Sequence, residues 1–301
     1  MRKIILVYNP VSGNAAFKYK LDMMVEKFQQ RNCLLFLYRT EKENGDKFPA
    51  FVRSCQADGV VIAGGDGTLH EIVNILLREG MELPIGIIAS GTSNDFASFL
   101  GIDSDLDSYI DAVADGRTMP IDIGFTGGEY FVNVASAGML TSVAHEVDAR
   151  LKNALGKMAY YLRGLGELPK FRSVQLTIDA DGQRFEESAF LFVVVNSGVV
   201  GSLKNVAVNA RVDDGKLDLL LVRQCSLPEL MALIAEIVAG RMLSNTKNVL
   251  YLQAEKFHIS CEDELESDLD GERGPALPLD IETLRGKMEV FHPLPEFFSG
   301  K

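Results

Sequence analysis

Gly59-Val60-Val61-Ile62-Ala63-Gly64-Gly65-Asp66-Gly67-Thr68 is the stretch that decides the fold of this 301-residue sequence. Its first half is an apolar run, which predicts a strand buried on both faces. Glycines dominate its second half, and apolar residues continue at helical spacing to Arg78. A buried strand followed by a glycine turn and a helix is typical of a parallel sheet, which binds ligands beyond the carboxyl ends of its strands. The turn is a candidate phosphate site, because glycines let the backbone approach closely and a helix start offers free N–H groups.

Strand and helix patterns alternate through the first 120 residues. Apolar runs predict strands at Lys3–Tyr8, Cys33–Tyr38, Gly59–Ala63 and Pro84–Ile88. Helical spacing predicts helices at Tyr19–Arg31, Phe48–Cys55, Thr68–Arg78 and Asn94–Leu100. This rhythm predicts an α/β fold whose residues 1–120 form a doubly wound parallel-sheet, nucleotide-binding domain, to which the tail at about 293–301 is expected to return.

Residues 121–292 have a different pattern, which predicts a larger, β-sandwich-like second domain. Short strands are predicted at Tyr130–Ala135, Val174–Ile178, Ala189–Asn196, Leu217–Val222, Lys256–Ile259 and Met288–His292. Two helices interrupt them. One covers about 143–165, and the other starts at the capping box of Ser226 and Glu229 and runs to Gly240.

The composition supports an ordered protein and argues against some classes of function. A hydrophobic content of 47% is ample for two packed cores. The net charge of −12 argues against general nucleic-acid binding, because phosphate backbones are bound by clustered Lys and Arg. The four cysteines, at positions 33, 55, 225 and 261, are far apart and are interpreted as reduced thiols. No apolar run has membrane-spanning length, so a cytoplasmic protein is expected.

Two further loops at predicted strand ends have the same chemistry as 64–68. Asn9-Pro10-Val11-Ser12-Gly13 follows the first strand, and Ser90-Gly91-Thr92-Ser93-Asn94-Asp95 follows the fourth. Each loop alone is interpretable as an ordinary turn. Three such strand ends together predict a nucleotide cleft, although neither the P-loop motif nor the dinucleotide motif is present.

These loops carry a family resemblance. N-P-x-S-G, G-G-D-G-T and G-T-x-N-D-F resemble the catalytic domain of diacylglycerol kinases, and in particular the bacterial YegS-like lipid kinases that are related to sphingosine kinases. Asn196-Ser197-Gly198, Asp213–Asp218 and Asp270-Gly271-Glu272 continue the resemblance in the family's order, so it covers the chain almost from end to end. The resemblance implies an ATP-dependent lipid kinase that phosphorylates a hydroxyl of diacylglycerol or a related lipid and takes part in phospholipid metabolism.

The resemblance also implies roles for particular residues. It places ATP at Thr40, at Thr92, and at the segment Gly64, Gly65, Asp66, Gly67, Thr68, Leu69 and His70, with the first-strand loop adding Asn9 and Ser12. Asp214 matches an acidic residue of a structural Mg²⁺ site, with the backbone carbonyls of Arg211 and Lys216 as companions. Glu272 matches a general base, and Asp66 is our candidate for helping to hold a catalytic Mg²⁺.

Other interpretations of these residues remain open. One alternative is that the 64–68 turn is a plain turn with Thr68 as the helix N-cap and that Asp213–Gly215 is a turn between strands. Another is that the acidic run at 262–269 is a solvated loop. An NAD kinase-like enzyme shares G-G-D-G-T, but the Asn-Glu pair that such enzymes use for ribose is missing here. A non-catalytic nucleotide or lipid sensor is the third alternative.

The expected partner is a lipid substrate at a membrane surface, where the protein would act peripherally. The 143–165 helix has Arg150, Lys152 and Lys157 beside aromatic residues and is either a membrane-docking face or a packed helix with solvated charges. A homodimer is plausible from the family resemblance, and no nucleic-acid partner is expected.

Overall fold

A computed structural model describes residues 1–12, 17, 20–41, 47–102, 105–138, 173–207, 209–241 and 245–293 of the chain. The chain divides into two compact units. The first contains Met1–Ile123, Val212–Asp214 and, among the described residues, 284–293, and the second contains Gly124–Arg211 and Gly215–Thr283. The first boundary lies after Ile123, close to the predicted residue 120. The chain returns to the first unit from Leu284, and all but the first residue of the tail predicted at about 293–301 lies outside the described residues.

The first unit alternates strands and helices. Its elements are β1 (Arg2–Tyr8), α1 (Leu21–Gln30), β2 (Cys33–Arg39), α2 (Lys47–Cys55), β3 (Gly59–Gly64), α3 (Asp66–Arg78), β4 (Ile85–Ala89), α4 (Asp95–Leu100) and α5 (Leu106–Asp115). Every element that the sequence predicted here is present, with ends within two residues of the predicted ones. The sequence analysis did not predict α5. Its start is nevertheless well marked, since the Asp105 side chain caps the helix by accepting hydrogen bonds from the N–H groups of Asp107 and Ser108.

A parallel sheet in the order β4-β3-β1-β2 forms the centre of this unit. All six residues of β3 are buried, as are the four central residues of β1, which is why both strands read as continuous apolar runs. Phe28 of α1 and Ile72 of α3 are fully buried side chains of the same unit. The predicted doubly wound α/β domain is therefore confirmed.

Asp122 ties together three separate segments of the first unit. Its carboxylate is 1% exposed and accepts a hydrogen bond from the Gly286 N–H at 2.7 Å. Its own N–H donates to the Val212 carbonyl at 2.5 Å. A buried carboxylate is stable only when it is hydrogen-bonded. Asp122 therefore fixes the chain just before it enters the second unit and at both places where it returns.

The second unit is built mainly from antiparallel strands. β5 (Thr118–Thr126) leads the chain into it and β15 (Leu279–Phe291) leads the chain out. Between them lie β6 (Glu129–Phe131), β7 (Val134–Gly138), β8 (Val174–Ala180), β9 (Gln183–Val195), β10 (Leu217–Arg223), α6 (Leu227–Val238), β11 (Val249–Ala254), β12 (Lys256–Cys261), β13 (Glu266–Leu269) and β14 (Glu272–Ala276). β9 pairs with β7, β8 and β10, all antiparallel.

The structure corrects several predictions for this unit. The predicted strand Tyr130–Ala135 is two strands, β6 and β7, because the chain bends at 132–133. The predicted strand Met288–His292 is the end of a 13-residue strand, and β5, β11, β13 and β14 were not predicted. The acidic segment that was read as a solvated loop contains β13, which pairs with β7. The predicted helix at 143–165 lies outside the described residues.

Two apolar cores pack on the two faces of β10. Leu217, Leu219 and Leu221 belong to one core, while Leu220 and Val222 belong to the other. The second core also contains Leu230 and Leu233 of α6, so the face of the helix that carries them is packed. A strand covered on both faces explains the unbroken apolar sequence of β10.

Among the described residues, no helix is both long enough and apolar enough to cross a membrane.

An ion pair on the β9–β10 ladder predicts a pH-dependent contribution to stability. The Arg223 guanidinium donates two hydrogen bonds to the Glu187 carboxylate, at 2.8 and 2.7 Å, and this pairing lowers the pKa of Glu187. A carboxyl whose pKa is lower in the folded state stabilises the protein above its unfolded pKa, and that contribution is lost as the pH falls through the folded pKa. We expect Glu187→Gln to lower the free energy of unfolding by about 1 kcal/mol at pH 7.

Urea denaturation at a series of pH values measures this difference. It should disappear as the pH falls below about 4, the range in which unfolded glutamate is protonated. Glu186→Gln is the matched control, because its partner Arg184 and Glu186 itself are both well exposed and the loss should be small at every pH. An equal and pH-independent loss in the two variants would contradict the prediction.

Candidate functional site

The carboxyl ends of four parallel strands lie level at one edge of the first unit. Backbone hydrogen bonds continue past the strands, from Thr40 N–H to the Tyr8 carbonyl and from Asn9 N–H to the Ala63 carbonyl, each at 3.0 Å. The Ser90 N–H donates to the Gly64 carbonyl, also at 3.0 Å. The loops that the sequence predicted to form a nucleotide cleft therefore start side by side. In the sheet order, β2 lies on one side of β1 and β3 lies on the other, so the strand order reverses at β1. The loops beside this point of reversal are the usual ligand position in an open α/β sheet.

Gly65 and Gly91 bring two of these loops into backbone contact. A Cβ placed on Gly91 would overlap the Gly65 Cα, and a Cβ placed on Gly65 would lie 3.1 Å from the Gly91 Cα. A side chain at Gly91 would force the backbone to shift, whereas one at Gly65 would need only a small adjustment. The φ of Gly65 is −96°, an angle that any residue can adopt, so backbone conformation does not require a glycine there. Glycine is required because the two loops approach so closely.

Side chains of the first-strand loop bridge to the other two loops. Ser12 Oγ donates to the Ser90 carbonyl at 3.1 Å. Asn9 Nδ2 donates to Thr68 Oγ1 at 2.9 Å, while Asn9 Oδ1 accepts from the Val11 N–H at 3.0 Å. The amide of Asn9 thus shapes its own loop and anchors it to the start of α3.

The N-terminus of α3 presents backbone N–H groups without a side-chain cap. The N-cap is Gly65, which has no side chain that could accept a hydrogen bond from the first turn. The alternative with Thr68 as the N-cap is therefore wrong, because Thr68 lies inside the helix and is 7% exposed. Uncapped N–H groups at the start of a 13-residue helix form a site for an anion.

Asp66, the first residue of α3, also connects to the start of α4. Its Oδ1 accepts a hydrogen bond from the Asp95 N–H at 2.9 Å. Asn94, with a left-handed φ of 51°, holds the intervening turn by accepting from the Gly91 N–H at 2.8 Å and donating to the Gly91 carbonyl at 3.0 Å. Asn94 and Asp95 were not among the predicted site residues. The signal that could have found them is asparagine at a loop–helix junction, since asparagine adopts left-handed φ more readily than most residues.

The other predicted nucleotide residues differ in their exposure. Thr40, Leu69 and His70 are buried, and His70 lies within α3 beside Asn74, whose amide donates to the His70 carbonyl at 3.0 Å. The side chain of Thr92 is exposed in the loop after β4. The structure therefore gathers Thr92 with the glycine loops at the surface, while the side chains of Leu69 and His70 pack inside the unit.

Glu272 lies in the second unit, at the start of β14. It is exposed and pairs with Leu269 across a β13–β14 hairpin whose two-residue turn is Asp270-Gly271. Both turn residues have positive φ, 54° and 93°, which is the geometry of a type I′ turn and explains the Asp-Gly sequence. A carboxylate on the outside of a tight hairpin is accessible to a substrate.

The predicted structural metal residues Arg211, Asp214 and Lys216 lie in the loop that precedes β10. Asp214 belongs to the segment of the first unit that Asp122 holds through the Val212 carbonyl. No three His, Cys, Asp or Glu side chains of the described residues cluster closely enough to bind a metal. The predicted Mg²⁺ site uses one carboxylate and two backbone carbonyls, so the absence of a three-residue cluster among the described residues does not test it. The Mg²⁺ site stays a prediction.

The residues at the strand ends fit a nucleotide. Ser90 Oγ is a buried hydroxyl with no hydrogen-bond partner among the described residues, and a ligand atom would satisfy it. At the contact of Gly65 with Gly91 neither loop has a side chain, so a phosphate could approach the backbone there. Asp66 adds a carboxylate at the same helix start, and a carboxylate beside a phosphate calls for a cation.

Comparisons with known proteins identify the family to which the chain is similar. Residues 3–126 match the family model described as "Diacylglycerol kinase catalytic domain", and residues 133–292 match "YegS C-terminal NAD kinase beta sandwich-like domain". The chain is 33% identical over 296 residues to a diacylglycerol kinase of Bacillus subtilis (strain 168), covering 97% of each protein. It is 34% identical to a diacylglycerol kinase of Staphylococcus haemolyticus (strain JCSC1435), covering 97% of this chain and 89% of that protein. A crystal structure of a candidate diacylglycerol kinase from Bacillus anthracis str. Sterne has a TM-score of 0.82 at 28% identity, covering 97% of this chain and 95% of the other.

The glycine contact predicts a graded loss of stability. Gly91→Ala should lower the free energy of unfolding by about 2–3 kcal/mol, because its methyl group would overlap the Gly65 Cα and force the backbone to shift. Gly65→Ala is the matched control and should cost about 1 kcal/mol, because its methyl group sits at a tight but tolerable 3.1 Å from the Gly91 Cα. Urea denaturation of the two variants measures both values. Equal stabilities would show that the two loops are not in contact.

Proposed function

The chain belongs to the diacylglycerol kinase family, and from that membership we propose that it transfers the γ-phosphate of ATP to a hydroxyl of diacylglycerol or a related lipid. The observation that supports the nucleotide half of this proposal is the glycine contact of Gly65 with Gly91 at the uncapped start of α3. The lipid half is supported by full-length relatives that are named diacylglycerol kinase.

The chain's own residues would hold the nucleotide chiefly through backbone. The N–H groups of Gly67 and Thr68 lie in the first turn of α3, whose N-cap Gly65 has no side chain, and they would bind phosphate oxygens. Ser12 and Asn9 keep the first-strand loop against this helix start by hydrogen bonds to Ser90 and Thr68. Phosphoryl transfer depends mainly on positioning and charge neutralisation. The backbone of these connected loops would provide the positioning.

Asp66 would hold the cation that neutralises the phosphates. Its Oδ1 accepts a hydrogen bond from the Asp95 N–H at 2.9 Å, which orients the carboxylate at the start of α3. Mg²⁺ would neutralise the nucleotide phosphates when bound, and Asp66 would be its protein ligand. Asp214, with the carbonyls of Arg211 and Lys216, is proposed to hold a second, structural Mg²⁺.

Glu272 is proposed as the general base. An exposed carboxylate that follows a rigid two-residue turn can accept the proton of the acceptor hydroxyl as the phosphoryl group is transferred. No residue of the described part of the chain identifies the lipid headgroup. The acceptor class therefore rests on the names of the relatives.

The two alternatives are less well supported. The model that matches residues 133–292 refers to an NAD kinase-like β-sandwich, which is a likeness of fold, whereas relatives aligned over nearly the whole chain are named for diacylglycerol. A non-catalytic sensor would be expected to lose an acidic residue of the reaction, yet Asp66 and Glu272 are both present. Peripheral action at a membrane surface and a homodimer stay predictions.

Labelled phosphate transfer tests the proposal. With diacylglycerol in mixed micelles, we expect γ-phosphate transfer that requires Mg²⁺, and we expect Glu272→Gln to lower kcat by at least 100-fold with little change in the KM for ATP. Turnover at the wild-type rate in Glu272→Gln would show that the base is wrongly assigned. Transfer from ATP to NAD, but to no lipid, would establish the NAD kinase alternative.

Two substitutions at Asp66 separate its charge from its hydrogen bond. Asp66→Asn keeps an oxygen for the Asp95 N–H and removes the charge, so we expect the thermal midpoint to stay within about 2 °C of wild type. We also expect kcat to fall at least 100-fold if Asp66 binds the cation. Asp66→Ala removes both features and should lose stability as well. Full activity of Asp66→Asn would show that the residue serves only to join α3 to α4.

A further inference from the structure

The carboxylate of Asp270 is buried and accepts hydrogen bonds from three successive backbone amides. Its Oδ2 accepts from the Val132 N–H at 2.7 Å, and its Oδ1 accepts from Asn133 and Val134 at 2.8 and 2.9 Å. The Asp270 N–H donates in turn to the Val134 carbonyl at 2.8 Å. The residue is 8% exposed, so these bonds are largely shielded from water. Charge-assisted bonds to backbone amides are about twice as strong as neutral ones, and this set holds the hairpin turn to the bend before β7.

The same turn determines where the Glu272 carboxylate lies. Only Gly271 separates Asp270 from Glu272, and β14 pairs with β13 alone among the described strands. Asp268 Oδ1 accepts from the Gly271 N–H at 2.7 Å and closes the turn from within. The bonds of Asp270 tie this turn to the bend at 132–134, two residues before Glu272.

A second set of buried hydrogen bonds stabilises the bend at 132–134 to which Asp270 is bonded. Asn133 accepts a hydrogen bond from Ser197 Oγ at 2.5 Å and donates to the Val199 carbonyl at 2.9 Å. Asn196 Nδ2 donates to the Val132 carbonyl at 2.9 Å, and the Asn196 N–H donates to the Asn133 carbonyl at 2.8 Å. Asn196 and Ser197 are fully buried. The Asn196-Ser197-Gly198 motif is thus connected through the 132–134 bend to the turn that carries Glu272.

We propose that Asp270 is a positioning residue that places the Glu272 carboxylate for proton transfer, supported from behind by Asn133 and Ser197. This proposal rests on the proposed function, in which Glu272 is the base. It assigns a role to the buried motif at 196–198, which neither the nucleotide site nor the phosphoryl transfer step uses.

Substitution by asparagine isolates this role because it preserves size. Asparagine offers one acceptor oxygen where aspartate offers two, and its NH₂ group would face one of the three N–H donors. Asp270→Asn therefore disturbs the turn without opening a cavity. A displacement of about 1 Å at a catalytic group can reduce turnover about 100-fold. We expect kcat to fall 10- to 100-fold, while the KM for ATP changes less than about 2-fold because the nucleotide loops are in the other unit.

A double-mutant cycle with Glu272→Gln is the decisive measurement. If Asp270 acts through Glu272, adding Asp270→Asn to Glu272→Gln should lower kcat by less than about 2-fold further. Equal 10- to 100-fold losses in both backgrounds would overturn the proposal and show a general structural role. Unchanged kcat in Asp270→Asn alone would also overturn it.

Ser197→Ala provides a milder test if Asp270→Asn folds poorly. It removes one donor to Asn133 and should give a smaller loss of kcat, about 3- to 10-fold, which again disappears in the Glu272→Gln background. A loss of the same size in both backgrounds would count against the proposal.

Asp181→Asn is a matched control. Asp181 and Gly182 form the same kind of positive-φ turn, between β8 and β9, and the Asp181 carboxylate accepts from the N–H groups of Glu255 and Lys256 at 3.0 and 2.9 Å. Asp181→Asn should lose stability without loss of kcat.

The two proposals can be separated by their outcomes. Wild-type turnover in Glu272→Gln would overturn both the proposed base and this proposal. A loss of kcat in Glu272→Gln, with an additive loss from Asp270→Asn, would overturn this proposal alone.

Discussion

The backbone contact of Gly65 with Gly91 is the constraint on which the rest of the candidate nucleotide site depends. Parallel pairing sets β3 and β4 in register, with Gly64 opposite Ala89, so the two loops leave the sheet at the same level. They stay in contact only because neither loop has a side chain at that point. The contact thereby places the start of α3, with the Asp66 carboxylate in its first turn, beside the loop that follows β4.

The second unit positions its candidate catalytic residue, Glu272, with buried polar side chains. The first unit instead shapes its loops with glycine. Asp270 satisfies three amides of one bend, and Asn133 and Ser197 hold that bend from behind. Buried polar groups of this kind are costly unless fully paired, and when paired they specify a single arrangement. Such rigidity suits a residue that must meet a reacting hydroxyl.

The sequence predicted the first unit well because its signals are local. Buried strands such as β3 appear as apolar runs, and glycine turns mark their ends. The second unit was harder, because its strands are partly polar and are defined by distant partners. β13 was hidden in an acidic run, and it forms because β7 offers a free edge. The bend at 132–133 was equally invisible, since it is stabilised by Asp270, more than 130 residues further on.

Site residues followed the same division. Gly64 to Thr68 and Ser12 were found from motifs, and the structure places them together at the strand ends. Asn94, Asp95 and Asp270 were not assigned roles from the sequence, because their hydrogen-bond partners are visible only in three dimensions. The family resemblance supplied Glu272 and Asp214, which composition and periodicity alone would have left as turn residues.

Hydrogen exchange with a non-hydrolysable ATP analogue and Mg²⁺ tests the central claim most directly. The claim is that the nucleotide binds at the strand ends joined by Gly65 and Gly91. The account predicts slower exchange of the amides at 64–68 and 90–95 in the presence of the analogue, and no such slowing in Asp66→Ala. Protection confined to other segments, or none at saturating analogue, would contradict it.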